Sequence, residues 1–351
     1  MRGKRYAEIN SGVINVKKKV LLTRPLQIMK QTEEALAQEL DIVLSPGATE
    51  RDILPLVRDV HGIIAHGTTI TEKVIQSAPL LQVIATPQVG FDKIDVAAAT
   101  KAGVAVIANY GLAPDTVAEF TLGLIIALAR RIVKSDRDLH QKKDWAVRAA
   151  YVDVALDMGI DLRGATIGLV GFGFIGSSVA RLCRAALSAR ILTYDPFVNR
   201  EKMLAQGVEK RDSLIEMARE VDFLSLHVAL TDDTRHLING TILRAMKPGA
   251  YLINCARGEV VDEKALIMAL QNNWIRGAAT DVLEEEPLDP NNPLLAMKNV
   301  IITPHIAGIT VQSSLLRVEE IAKRILDIFA GKKPQGLVNP DVWPRYLQKI
   351  T

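Results

Sequence analysis

The chain has only two cysteines, Cys183 and Cys255, in 351 residues. They offer neither a disulfide framework nor metal-ligand spacing, so a cystine-stapled scaffold is excluded and no metal is expected. An excess of one charge is also missing: the formal net charge is +3. The basic residues that do cluster, Arg2, Lys4, Arg5, Lys17, Lys18 and Lys19, fall within residues 1–19 and read as a solvated tail. No nucleic-acid partner is expected. Long apolar runs are absent as well. Phe120 to Ala129 is too short to span a bilayer, and no apolar core follows the N-terminal basic residues as a signal peptide would require. No membrane partner is expected, and the protein is read as cytoplasmic. Internal repeats and low-complexity tracts are not apparent.

What is present is a large apolar fraction, 48% against 24% charged, in a chain too long for one core. Two domains are expected. From Val20 to about Asn109, short apolar runs (Val20–Leu22, Ile42–Leu44, Ile63–Ala65, Val83–Ala85, Val104–Ile107) alternate with helical stretches such as Thr32–Leu40 and Glu72–Ser77. A second series comprises the run from Thr166, Ile191–Tyr194, Phe223–His227, Tyr251–Asn254 and Val300–Thr303. Each alternation predicts a parallel sheet, so the fold class is α/β with two Rossmann-like or flavodoxin-like doubly wound domains. Between the two series, a helical pattern runs from about Asp115 to Asp144. Pro114, Asp115 and Thr116 open it, and Glu119 is available for a capping box. It is apolar on more than one face, as a helix buried between domains or subunits would be. A final helix, about Val311 to Ala330, stops at Gly331 and can return to the first domain. The expected division is residues 20–110 with 306–351 as one domain and 111–305 as the other.

The segment Ile167–Val170 feeds directly into Gly171-Phe172-Gly173-Phe174-Ile175-Gly176 and then a helical pattern. The first glycine permits a tight strand-to-helix turn, the second lets backbone approach a pyrophosphate, and the third allows close helix packing. Alone, such a motif is often merely a turn. Here it is followed by the strand Ile191–Tyr194 and then Asp195, about 20 residues past the third glycine, where a carboxylate meets ribose hydroxyls. A dinucleotide site is expected. A carboxylate ~4 Å from a 2′-phosphate costs on the order of 4 kcal/mol at an effective dielectric near 20, and no nearby Arg compensates, so NAD is favoured over NADP.

Three further segments carry reactive side chains. Asn254-Cys255-Ala256-Arg257-Gly258 puts Arg257 at a strand's carboxyl end, where a guanidinium can grip a carboxylate bidentately. Taken alone, Arg257 serves equally well in a structural ion pair. Asp281-Val282-Leu283-Glu284-Glu285-Glu286-Pro287 is an acidic turn of the kind usually found solvated at a surface. Thr303-Pro304-His305-Ile306-Ala307-Gly308 places a histidine at another strand end, and a lone histidine is more often structural than catalytic.

These segments together resemble the D-isomer-specific 2-hydroxyacid dehydrogenase family. The likeness runs from about Val20 to Val338. It also rests on Val89-Gly90-Phe91-Asp92 with Ile94-Asp95, Thr116-Val117-Ala118-Glu119, His227 to Thr231, and Val260-Val261-Asp262-Glu263. The resemblance implies a cleft between the domains that closes around NAD(H) and a small D-2-hydroxy or 2-oxo carboxylate such as glyoxylate or hydroxypyruvate. It implies His305 as acid/base, Glu286 as its carboxylate partner, and Arg257 as the substrate-orienting cation. Substrate would also meet backbone N–H groups at Val89 and Gly90. Gly171, Gly173, Phe174, Ile175, Gly176, Asp195, His227, Thr231, Ala256 and Thr116 would lie along the cofactor, with Asp281 orienting the carboxamide of nicotinamide. The chemistry agrees with these roles, since an imidazolium suits proton delivery near neutral pH and Glu286 would stabilise and orient it.

Departures from the family pattern bear on the substrate. Phosphoglycerate-oxidising members carry an Arg-Ser pair where this chain has His66-Gly67, which removes a permanent charge a phosphate would use. Phosphoglycerate is demoted but stays an alternative, and no regulatory domain is expected beyond Thr351. Gln88 replaces a small residue and Ala229 a common proline. Formate dehydrogenase pairs its histidine with glutamine, so Glu286 argues against it. An NAD-sensing corepressor-like protein is the rival from another class. The apolar helical pattern and the family together suggest a homodimer.

Overall fold

The computed structural model describes residues 17–25, 30–152 and 158–350. Residues 1–16, with most of the basic tail, lie outside the described residues. The chain divides into two compact units. The first runs to Tyr110 and resumes at Ser314, and the second is Gly111–Ser313.

The first unit contains β1 (Lys18–Leu22), β2 (Leu40–Leu44), β3 (Gly62–Ile64), β4 (Val83–Thr86) and β5 (Ala105–Ala108), paired in parallel in the order β2-β1-β3-β4-β5. Alternate residues of each strand enter different cores. Val20, Leu22, Val83, Ala85, Ala105 and Ile107 pack with Ile321, Ile325 and Ile328 of the helix Val311–Phe329. Leu21, Ile63, Ile84 and Val106 face Ile53, Val57, Val74 and Leu81. Both faces are covered, so these strands read as unbroken apolar runs. Each fully buried Ile or Leu contributes about 1.5–3 kcal/mol.

The second unit contains β6 (Thr166–Val170), β7 (Arg190–Tyr194), β8 (Glu209–Lys210), β9 (Phe223–Leu226), β10 (Tyr251–Asn254), β11 (Gly277–Thr280) and β12 (Val300–Ile302). Their order is β12-β11-β10-β9-β6-β7-β8, all parallel. The strand order reverses between β6 and β9, which is the doubly wound arrangement with a ligand crevice at the carboxyl ends of those strands. Here too the strands face two cores: Val170, Leu192, Leu224 and Leu252 one way, and Ile167, Leu169, Ile191 and Phe223 the other.

Several local features depart from the sequence reading. The helical pattern from Asp115 to Asp144 is two helices, Pro114–Ala129 and Ile132–Lys142. The break falls where Arg131 takes a left-handed conformation, φ 56°. Nor does the expected capping box close the first helix. Ala113, at φ 50°, occupies the N-cap without a side-chain bond, and Pro114 starts the helix with its φ already set. Strands β8 and β11 were not anticipated. Neither was the helix Trp343–Ile350, whose Tyr346 is fully buried and donates its hydroxyl to Ile328 O at 2.7 Å. The helix Val311–Phe329 ends as its sequence suggests, with Gly331 at φ 71° just beyond it.

Candidate functional site

At the carboxyl end of β6, the three glycines answer three different constraints. Gly171 has φ 96°, and a Cβ there would lie 2.7 Å from the carbonyl oxygen of His227. Gly176, in the first turn of the helix Phe174–Leu187, packs its bare Cα against the Gly171 carbonyl. Gly173, at the N-cap, has nothing within 4 Å of the position a Cβ would take. The backbone is therefore open at a helix N-terminus, where unpaired N–H groups and the helix dipole favour a phosphate. Asp195 follows β7, and its carboxylate accepts from Phe172 N at 2.8 Å and from Phe197 N at 2.9 Å. The carboxylate expected to meet the ribose is thus tied to the glycine turn itself. Phe174 is half-exposed, with its ring against Gly111.

The carboxyl ends of β10, β11 and β12 carry the reactive groups. Arg257 stands just before a short 3₁₀ turn, Gly258–Val260, with its guanidinium donating to Ala256 O at 2.7 Å. Asn254, at the end of β10, shapes the same turn by donating to Arg257 O at 2.8 Å and accepting from Ala256 N at 3.0 Å. Gly258 packs directly against the carbonyl of Leu283, so the acidic turn lies on the backbone beside Arg257. A side chain at 258 would push that turn away. Within the turn, Glu286 accepts from Leu283 N at 3.2 Å and meets His305 Nδ1 at 2.8 Å through its other oxygen. Nδ1 is thereby committed to Glu286, leaving Nε2 as the nitrogen able to exchange a proton with a ligand.

His305 has φ 56°, a conformation that costs a bulky residue on the order of 1–2 kcal/mol. Asp281, 2% exposed at the end of β11, holds it there. One of its carboxylate oxygens accepts from Thr303 Oγ1 at 2.6 Å and Ile306 N at 2.9 Å, and the other accepts from Ala307 N at 2.7 Å. Its main-chain oxygen accepts from His305 N at 2.8 Å. The side chain that the sequence reading assigned to the nicotinamide carboxamide is therefore also the tether of the histidine turn.

Three other anticipated residues, His227, Thr231 and Ala256, follow strands of the same sheet. His227 follows β9, its ring Nε2 2.9 Å from Ser225 Oγ, and burial pushes its pKa down to about 3. Thr231 forms a turn with Thr234 (N to Oγ1, 2.8 Å), Ala256 is buried beside Arg257, and Thr116 sits in the first turn of its helix. Val89 and Gly90 belong to the first unit, in the loop after β4. Burial pushes both thiols, Cys183 and Cys255, up to about 12, so neither is an activated nucleophile. The sequence reading quoted Glu263 only as part of the family pattern and gave it no role; it accepts from Glu284 N at 3.3 Å and Asn292 Nδ2 at 2.6 Å and so braces the acidic turn from the helix Glu263–Gln271. That reading missed the pair His236–Glu284 beside that turn. The signals for Glu263 were its place in that segment and its position directly after Asp262, which caps its helix.

A doubly wound sheet with this glycine turn, and with Arg257, Asp281 and a histidine–glutamate pair at the carboxyl ends of three successive strands, fits a dinucleotide-dependent oxidoreductase. Residues 122–307 match the D-isomer specific 2-hydroxyacid dehydrogenase, NAD binding domain. The chain is 41% identical over 279 residues to a glyoxylate reductase of Aeropyrum pernix, covering 78% of this chain and 82% of the relative. It is 36% identical over 334 residues to a D-3-phosphoglycerate dehydrogenase of Methanocaldococcus jannaschii, covering 95% and 62%. Among solved structures, D-lactate dehydrogenase from Aquifex aeolicus, complexed with NAD and lactic acid, is similar with a TM-score of 0.79 and 31% identity, covering 90% and 96%. The chain belongs to the D-isomer-specific 2-hydroxyacid dehydrogenase family, and its cofactor is NAD.

Two expectations follow. His227 is neutral when folded but takes a proton near pH 6.5 when unfolded, so its contribution to stability is intact above about 6.5 and lost as pH falls toward about 3. The loss approaches ~1.4 kcal/mol per pH unit. Denaturant titrations at pH 7 and 5 should show wild type losing about 2 kcal/mol more than His227→Gln over that interval; equal losses would refute the assignment. Asp281→Asn turns one accepting oxygen into a donor facing a backbone N–H or the Thr303 hydroxyl. It should lower unfolding free energy by about 1–3 kcal/mol in the same assay, with turnover falling as the His305 turn loosens.

Proposed function

We propose that this enzyme transfers a hydride between NAD(H) and a small D-2-hydroxy acid or its 2-oxo counterpart, such as glyoxylate or hydroxypyruvate. The observation that carries the reading is the 2.8 Å contact between His305 Nδ1 and Glu286, which leaves Nε2 for the substrate oxygen. Names of relatives, glyoxylate reductase among them, support the substrate class.

The open backbone at Gly173, the turn at Gly171 and the packing at Gly176 fit a pyrophosphate, and Asp195 fits the adenosine ribose. When bound, NADH supplies the hydride to C2 of the oxo acid. Arg257 holds the substrate carboxylate through paired N–H donors and fixes which face of the carbonyl is presented. His305, protonated, gives its Nε2 proton to the carbonyl oxygen as the alcohol forms, and in the reverse direction takes that proton back. Glu286 faces the imidazolium and stabilises it at the moment the proton is held. Phe172 and Phe197 N–H groups keep the Asp195 carboxylate in place for the ribose hydroxyls, which favours NAD over its 2′-phosphorylated relative. The first unit serves as the substrate domain, and the working protein is a cytoplasmic homodimer built on the helices Pro114–Ala129 and Ile132–Lys142.

NADH oxidation over a panel of 2-oxo acids tests the reading. His305→Ala should lower kcat by about 10²- to 10⁴-fold while NADH binding, followed by fluorescence, stays within a few-fold. Arg257→Ala should raise KM for the acid, and equal activity with and without the guanidinium would reject its anchoring role. Sedimentation at micromolar concentration should give twice the chain mass; a monomer would contradict the dimer.

A further inference from the structure

Residues 284–292 lie between β11 and β12 and carry Glu286, and both ends of this stretch are tied to one side chain of the same unit. Glu263 stands at the first position of the helix Glu263–Gln271. One of its carboxylate oxygens accepts from Glu284 N at 3.3 Å, and the other accepts from Asn292 Nδ2 at 2.6 Å. Asn292 is itself fixed, because its Oδ1 accepts from Leu294 N at 2.9 Å and Leu294 is buried in the core. A glutamate in a first helical turn often serves only its own helix. Here Asp262 already caps that helix by accepting from Ala265 N at 3.0 Å, and both Glu263 oxygens go to the loop.

The tie to Glu284 decides where Glu286 stands. The peptide joining Leu283 to Glu284 rests on Gly258, which leaves no room there for a Cβ, and its N–H is given to Glu263. Leu283 N donates to one oxygen of Glu286 at 3.2 Å, and the other oxygen meets His305 Nδ1 at 2.8 Å. The Glu284 side chain is engaged separately with the His236 ring, so Glu263 acts on the turn through its main chain. Packing does not replace these ties. Val261, Glu263, Leu266, Thr280 and Leu283 line a small pocket, and atoms bordering a gap lose their contacts on that side. A shift of the turn by ~1 Å is enough to carry the Glu286–His305 contact beyond hydrogen-bond range.

We infer that Glu263 is a positioning residue: it clamps residues 284–292 to the helix Glu263–Gln271 and thereby holds Glu286 in register with His305. It acts through Glu286, not on the reacting atoms. Its effect on turnover rests on the reaction proposed above, whereas the clamp rests on geometry within one unit. The clamp needs an acceptor at both ends, since Glu284 N and Asn292 Nδ2 are donors. Glu263→Gln offers one acceptor and one donor, so one contact is lost. Adding Asn292→Asp reverses the polarity of the far contact: the new amide donates to the new carboxylate, its oxygen still receives Glu284 N, and Leu294 N keeps an acceptor.

NMR pH titration of the imidazoles in saturating NAD reads the clamp at His305, whose signal is assigned by its loss in His305→Ala. Glu263→Gln should lower the His305 midpoint by about 0.5 pH unit or more, because an imidazolium parted from its carboxylate is less stable. With a 2-oxo acid that wild type reduces, kcat should fall about 10- to 100-fold, with NADH affinity by fluorescence within a few-fold. The high-pH limb of the kcat profile should move down in step with the midpoint. Glu263→Gln with Asn292→Asp should recover most of both losses. A merely structural glutamate would lower the denaturation midpoint and leave the His305 titration where it was. An unmoved His305 midpoint in folded Glu263→Gln, or a double variant as impaired as the single one, overturns the positioning role. Should Glu263→Gln not fold, Asn292→Ala opens the far end of the clamp alone; the same downward shift is then expected, and its absence is equally decisive. If wild type reduces no 2-oxo acid, the proposed reaction falls, while the NMR titration still decides the clamp.

Discussion

Hydrogen bonds from Thr303, Ile306 and Ala307 converge on the carboxylate of Asp281, and the left-handed histidine between those donors gives its own N–H to the Asp281 and Thr303 carbonyls. His305 reaches Glu286 only while that turn is held, and Glu286 stays in reach only while the acidic turn lies flat on Gly258. A buried acceptor on one strand end and a missing side chain on another thus set the geometry of the reactive pair. Polar groups in such a cluster are worth more together than singly, because each donor left over would be buried without a partner. The sheet beneath makes this affordable: β10, β11 and β12 are neighbours in strict parallel register, so their carboxyl ends deliver Arg257, Asp281 and His305 side by side.

Much of this was legible in the sequence because the physics behind it is local. Strands covered on both faces become unbroken apolar runs, and the glycine turn combines a left-handed residue, an open approach and a close packing within six positions. What was not legible depends on partners remote in sequence or on the lack of a marker. Strand β11 is Gly-Ala-Ala-Thr, a poor strand by propensity, because a Cβ at Gly277 would lie 2.5 Å from Asn299 O and 3.3 Å from the Tyr251 ring. The helix break at Arg131 has neither glycine nor proline to announce it. The acidic run from Glu284 to Glu286 looks like any solvated turn until Gly258, Glu263 and His305 are brought against it.

Cofactor choice is built into the turn in the same way. Asp195 reads as a ribose ligand from its spacing alone, yet its oxygens also hold Phe172 N and Phe197 N. In the proposed reading the carboxylate is both the group that repels a 2′-phosphate and a strut of the loop that receives the pyrophosphate. Removing its charge would alter the preference and slacken the turn together, so the two properties are not separable at this position.

The two sheets obey one rule at their strand reversals but satisfy it differently. At the second sheet, Asp195 after β7 takes backbone N–H groups and His227 after β9 takes Ser225, both on strands flanking the reversal. At the first sheet Thr23 closes the loop with His66 and Thr68, while the nearby Arg317 Nε and Asn109 Oδ1 remain unmatched. Folded chains leave few buried polar atoms unpaired, and the second sheet has its own in Thr193 Oγ1 on β7 and Tyr251 OH on β10. An edge satisfied from within is poised for a cofactor whose contacts are mainly backbone.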